Sequence, residues 1–241
     1  MSAWQLIGFG SNGWGALLLA ASLMTLAVTI TAVLIGAVLG AVVAAAKLSG
    51  NTALMALGKA YPIVFQGVPE LLIIYLIYFG GSSVVTSTAR LFGYEGFVSV
   101  PSFLSGALAV GLICGAYQAE VFRSAYLALS KGELEAATAI GMSGALRFRR
   151  IIVPQVLRLA IPGMSNVWQL SLKDSALISV TGLAELLRMS QVAAGSTREY
   201  FTFFIAGGAI YLIFTGISGK IFSRAERRAN RSMQPSGLIA G

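Results

Sequence analysis

Apolar residues in this chain run in long blocks, and the polar positions gather in short segments between them. Ala16 to Ala46 holds no charged side chain, which exceeds the ~20 residues a helix needs to cross the bilayer hydrocarbon. The pattern predicts five spanning helices, at about 16–46, 61–81, 101–126, 151–180 and 200–219. The first is one tilted helix or a helix with an extension, and the second carries a break at Gly67-Val68-Pro69. Lys47 and Lys59 bracket a polar linker around Ser49-Gly50-Asn51. Polar loops are expected at 82–100, 127–150 and 181–199, with a basic tail after the fifth span. The fourth span is the least apolar, with Pro154, Arg158, Pro162, Asn166, Gln169, Lys173 and Asp174.

Composition agrees with a membrane protein. Of 241 residues, 56% are hydrophobic and 11% charged, against about a quarter charged in a soluble domain. The mean hydropathy is +0.81. The lone Cys114 excludes an internal disulfide, and the absence of His rules out a His/Cys metal site and the commonest general base. No phosphate-binding loop is present: Gly58-Lys59 precedes Ala60, and Gly219-Lys220 precedes Ile221. The first ten residues carry no Lys or Arg, so no cleavable signal peptide is expected. No internal repeat stands out, and residues 1–241 read as one transmembrane domain.

The net charge of +8 is not spread evenly. One set of loops with the tail holds Lys47, Lys59, Lys131, Arg147, Arg149, Arg150, Lys220, Arg224, Arg227, Arg228 and Arg231. The other set holds Arg90, Arg188 and Arg198. Basic loops stay in the cytoplasm. The 127–150 loop and the C-terminus are therefore expected inside, with the N-terminus outside. Basic residues do not cluster with aromatics as a nucleic-acid groove would require. Trp4, Trp14, Tyr200 and Phe201 suit interfacial anchoring.

The 127–150 loop carries the most specific pattern. Glu135-Ala136-Ala137 is followed after three residues by Gly141, and after nine more by Ile151-Ile152-Val153-Pro154. Lys131-Gly132-Glu133 opens a short helix. Ala136, Ala137, Ala139 and Ile140 give it a small apolar face, Gly141 allows a turn, and Ser143-Gly144 begins the next helix. The spacing resembles the cytoplasmic coupling loop of permease subunits in bacterial ABC importers, with Val153 where that family usually has Leu. Without that likeness, an amphipathic helix lying on lipid phosphates through Arg147, Arg149 and Arg150 would fit equally well.

The likeness continues through Gln66-Gly67-Val68-Pro69-Glu70-Leu71, Gly115-Ala116-Tyr117-Gln118-Ala119-Glu120-Val121-Phe122-Arg123 and residues 166–177. These segments look like polar amino-acid permeases, in the histidine, lysine, arginine and ornithine branch that includes opine permeases. Many relatives have Arg where Gln66 stands. The resemblance implies an all-α, five-helix permease of the type I importer fold with a cytoplasmic coupling helix, in the bacterial inner membrane. It implies that Glu135, Ala136, Ala137, Gly141, Ile151 and Pro154 couple the spans to ATPases. It also implies a second permease subunit, homologous or identical with a leaning to a heterodimer, two ATPase subunits that bind ATP and Mg, and a periplasmic or tethered amino-acid-binding protein. This chain would hold no cofactor and catalyse nothing itself.

Charged groups within spans cost about 2.5–3.5 kcal/mol on insertion scales and are functional candidates. Glu70 follows the Pro69 break, where freed backbone groups line a cavity. Glu120 and Arg123 share a face at i,i+3 and pair with each other. Lys173 and Asp174 are adjacent and point apart, with Lys173 able to snorkel. Asn166 and Gln169 share a face near Ser171, and either bond a neighbouring helix or line a wet path. Glu70 or Asp174 would attract a cationic substrate. Gly36-x-x-x-Gly40 and Gly111-x-x-x-Gly115 imply packing only. The rival reading is an ATP-independent secondary carrier or channel, although such carriers usually show a doubled architecture. A membrane scaffold that uses the loop only for docking is a further alternative.

Overall fold

The computed structural model describes residues 3–10 and 13–230, and all their regular structure is helical. Arg231 and the side chain of Trp4 lie outside the described residues. A short α1 (Ala3–Ile7) precedes α2 (Gly15–Leu48). In α2 the hydroxyls of Ser22, Thr25, Thr29 and Thr31 donate to carbonyls one turn back. Polar side chains are thereby satisfied within a helix that has no charge before Lys47.

The linker after α2 is shorter than expected. Asn51 caps α3 (Thr52–Gly67), its Oδ1 accepting from Ala53 N at 2.9 Å and Leu54 N at 3.2 Å. Lys59 therefore lies on a helix. The break at Gly67-Val68-Pro69 is present, and α4 (Glu70–Tyr75) starts immediately after it.

A wider π-helical turn, Leu76–Gly80, joins α4 to α5 (Gly81–Leu91). The second membrane-length helix is thus Glu70–Leu91, displaced from the expected 61–81. Residues 82–91, expected as loop, are helical because their hydroxyls bond locally. Ser82 donates to Tyr78 O and Ser83 to Phe79 O. The Ser82 and Thr86 hydroxyls also accept from Val100 N and Val98 N, which pins the remaining loop to α5.

The third span is present as α6 (Ser102–Leu127). Two short helices come next, α7 (Lys131–Ala139) and α8 (Gly144–Arg147), then a π-turn at Phe148–Ile152. Beyond it, α9 (Val153–Asp174) carries Pro154 in its first turn. A 3₁₀ segment, Ser175–Thr181, continues α9. The 181–199 loop contains α10 (Leu186–Thr197), and α11 (Tyr200–Asn230) runs about three turns past the expected end. Lys220, Arg224, Arg227 and Arg228 are accordingly helical.

Four described helices are long and apolar enough to span a membrane: α2, the α4–α5 unit, α6 and α11. The predicted fourth span, α9, has the length but not the apolar character. Burial separates the four. The most apolar window of α6 is 67% buried and that of α11 only 11%. So α6 is the central helix, while α11 needs cover from lipid or another chain.

The main core joins α2, α4, α6 and the 3₁₀ segment through Val28, Ala32, Ile74, Val110, Ile113 and Ile178. A second cluster packs α1 and the start of α2 on α10 and α11 through Leu6, Leu18, Leu186 and Phe203. Between α2 and α6 the two glycine pairs meet face to face. A Cβ on Gly36 would lie 3.0 Å from Gly115 N and 3.2 Å from Gly111 O; one on Gly40 would lie 3.1 Å from Gly115 O. The expected packing role is therefore met by one shared crossing.

Candidate functional site

The site begins with the nine residues of α7. Glu133 in its first turn suits the positive end of the helix dipole. Its end is fixed by Gly141 at φ +80°, where Met142 N bonds Ala137 O at 3.1 Å and Gly141 N bonds Thr138 O at 3.0 Å. That is a Schellman closure, which requires the left-handed residue that Gly supplies most readily.

The closure sorts the loop residues into two groups. Glu135, Ala136, Ala139 and Ile140 are exposed on one face, Ile140 at 79%. Ala137 is buried at 4%. The apolar face expected for docking therefore loses Ala137, which anchors the helix to its own chain. Ile151 is half-buried in the π-turn, and the exposed Pro154 starts α9. Ala137 and the Gly141 turn thus fix α7 on its own chain, and Glu135 and Ala136 lie on its outward surface.

Two polar bridges hold α7 to α8 and α9. Gln155 Nε2 of α9 donates to Glu133 Oε2 at 2.7 Å. The Arg147 guanidinium of α8 donates to Thr138 Oγ1. Ser143 caps α8 by accepting from Leu146 N, as its position suggests.

Farther along the bundle, acidic groups come from separate elements. Glu70 opens α4 and Asp174 closes α9, and both are half-buried. Tyr117 of α6, itself half-buried, packs on the core that holds Ile73 and Ile74 of α4. Lys173 is exposed on the surface of this chain. Ser171 is fully buried beside Cys114 of α6, and Asn166 is exposed. Gln169 donates to Ser218 Oγ of α11 at 3.1 Å, which makes it a bond between helices.

Several partners were not foreseeable from the chain. The closer partner of Glu120 is Lys47 of α2, while Arg123 stands at 4.0 Å. Tyr117 lay within a recognisable segment, but nothing local gave its packing on the core that holds α4. Glu185 is completely buried at the N-cap of α10, accepting from Leu187 N at 2.8 Å, Arg188 N at 2.7 Å and the Tyr211 hydroxyl at 3.3 Å. Leu186 N donates to Thr25 Oγ1 of α2, so this node fastens α10 to two long helices.

An exposed, closed and braced helix at one end of an apolar bundle agrees with comparisons to known proteins. Residues 36–231 match the family described as the binding-protein-dependent transport system inner membrane component. The octopine transport system permease protein OccQ of Rhizobium radiobacter is 53% identical over 230 residues, covering 95% of this chain and 97% of that one. The histidine/lysine/arginine/ornithine transport system permease protein HisQ of Escherichia coli (strain K12) is 37% identical over 226 residues, covering 94% and 99%. Among solved structures, an amino acid ABC transporter crystallised with histidines has a chain 32% identical, with TM-score 0.75, covering 89% of this chain and 95% of that one. The MetNI methionine ABC transporter has a chain of the same fold, with TM-score 0.76 at 17% identity, covering 92% of this chain and 100% of that one. The chain belongs to the inner membrane component family of binding-protein-dependent transport systems and is a transmembrane permease subunit of an ABC importer.

Proposed function

We propose that this permease imports polar, basic amino acids or opines, with Glu70 and Asp174 attracting the cationic part of the substrate. The observation that carries the substrate reading is that two half-buried carboxylates, Glu70 at the start of α4 and Asp174 at the end of α9, sit on elements that both pack against α6. The names of the relatives support it. Asn166, Ser171 and Lys173 complete the candidate path, and Gln169 contributes by holding α9 to α11.

Coupling occurs at α7. Glu135, Ala136, Ala139 and Ile140 form the surface that enters an ATPase subunit, while Ala137, Gly141, Ile151 and Pro154 set its angle. Two ATPase subunits bind ATP and Mg, and a periplasmic or tethered binding protein delivers the substrate. A second permease subunit covers the exposed side of the bundle, because one copy leaves α9 too polar for lipid and α11 largely uncovered. The N-terminus lies outside and the C-terminus in the cytoplasm, supported by the basic residues around α7 and the end of α11.

Closure of the ATPases on ATP moves the docked helices and turns the path outward, and hydrolysis returns it inward. The test is ATP hydrolysis by the complete complex in liposomes, with its binding protein, against basic and neutral amino acids and opines. Stimulation by a basic amino acid or opine, lost in Glu135→Arg, is expected. Glu70→Gln should lose uptake with normal assembly; unchanged uptake removes Glu70 from the path. Uptake that persists without ATP and without a copurifying ATPase would favour the secondary carrier.

A further inference from the structure

We infer that Glu133–Gln155 and Thr138–Arg147 form the joint through which movement of the docked α7 reaches α9, with Glu133 and Gln155 as positioning residues. The inference rests on α7 being the ATPase-docking helix.

Apolar packing alone does not fix this helix. Of its nine residues only Ala137 is buried. Burying one methyl group contributes roughly as much as a single ordinary hydrogen bond, so one alanine is a pivot and not a clamp. With only the half-buried Leu134 and the closing turn beside that pivot, a force on the outer face of α7 would be partly lost as rotation.

The two bridges remove that freedom because they lie on either side of the pivot. Glu133 stands four residues before Ala137 and Thr138 one residue after it. Their partners differ as well. Arg147 belongs to α8, next to the π-turn, whereas Gln155 lies in the first turn of α9 beyond that turn. Together they span the π-turn Phe148–Ile152, which separates α8 from α9. The Glu133–Gln155 bond reaches past the turn and makes α7 and the base of α9 move as one lever. Asp174, at the far end of α9, then shifts with that lever. Glu133 accepts through a carboxylate, so its bond is charge-assisted and stronger than a neutral one.

The test uses the complete transporter, with permease, ATPase and binding protein, in liposomes, and reads ATP hydrolysed per amino acid imported. Glu133→Ala and Gln155→Leu should each raise that ratio about threefold to tenfold, the effect of losing one hydrogen bond. ATPase copurification should remain normal in both. The double variant should be no worse than either single one, since both remove the same bond. Glu133→Gln keeps an accepting oxygen and should restore most of the coupling. If Glu133→Ala assembles poorly, Glu133→Gln compared with Gln155→Leu carries the same test.

An unchanged ratio in normally assembled Gln155→Leu would overturn the joint, as would additive losses in the double variant. Failure of the wild-type chain to copurify an ATPase would instead overturn the docking reading on which it rests.

Discussion

The crossing of α2 with α6 and the coupling helix α7 both depend on small residues, for opposite reasons. At the crossing, Gly36, Gly40, Gly111 and Gly115 are small because another backbone lies against them. On α7, Ala136 and Ala139 are small and exposed, so their size matters only to something outside this chain. The first region resembles a protein interior, in which every atom has a neighbour. The second is a surface held by one buried alanine, a closed turn and two polar bridges. Damage to the first should remove the protein, whereas damage to the second should leave a folded protein that transports poorly.

The largest effect is expected from Gly36→Leu. Even its Cβ would overlap Cys114 Sγ and stand 3.0 Å from the backbone nitrogen of Gly115. Helix backbones cannot yield as a flexible side chain does, so the cost reaches or exceeds about 3 kcal/mol. Thermal unfolding of the purified complex should show a much lower midpoint or no monodisperse protein at all. A normal midpoint would mean that the crossing is looser than its geometry implies.

A smaller and local effect is expected from Gly141→Ala. Nothing lies within 4 Å of the added Cβ, yet φ +80° is strained for any L side chain. The cost is about 1–2 kcal/mol. It should fall on the turn closing α7, as faster amide exchange at Met142 and at the substituted residue, with no change in the midpoint of the bundle. A fall in the global midpoint instead would erase the proposed separation of the two regions.

Gln169→Leu should be the mildest of the three, and it removes a polar bridge inside the bundle for comparison with those of α7. Hydrogen bonds between membrane helices average about 0.6 kcal/mol. The midpoint should fall slightly, with ATP hydrolysed per amino acid unchanged. A rise in that ratio would show that α9 transmits force through α11 as well as from α7.

The legibility of the two regions also differed. The Glu-Ala-Ala spacing was visible because a docking loop must present fixed residues at fixed intervals, and those intervals lie within one stretch of chain. Even so, the spacing did not reveal that Ala137 faces inward, because that depends on the register of α7 against the body of the protein. The glycine pairs were also visible, but with 28 glycines in the chain their meeting was not. Helix ends were misjudged where hydroxyls decided them. Ser82, Ser83 and Thr86 read as loop residues because a polar side chain normally prefers water, yet here each bonds to backbone.

Reading along the chain was enough to establish a membrane protein built of helices, the basic loops, and the loop that carries the Glu-Ala-Ala spacing. Those properties follow from transfer of side chains out of water, from charge, and from local spacing, all of which act residue by residue. Packing in three dimensions was needed to show that Lys47 pairs with Glu120, that Glu185 bonds to Tyr211, and that Gln169 bonds to α11. Each of these joins residues from different helices. Their meeting depends on how helices cross and rotate, which close packing fixes for the bundle as a whole.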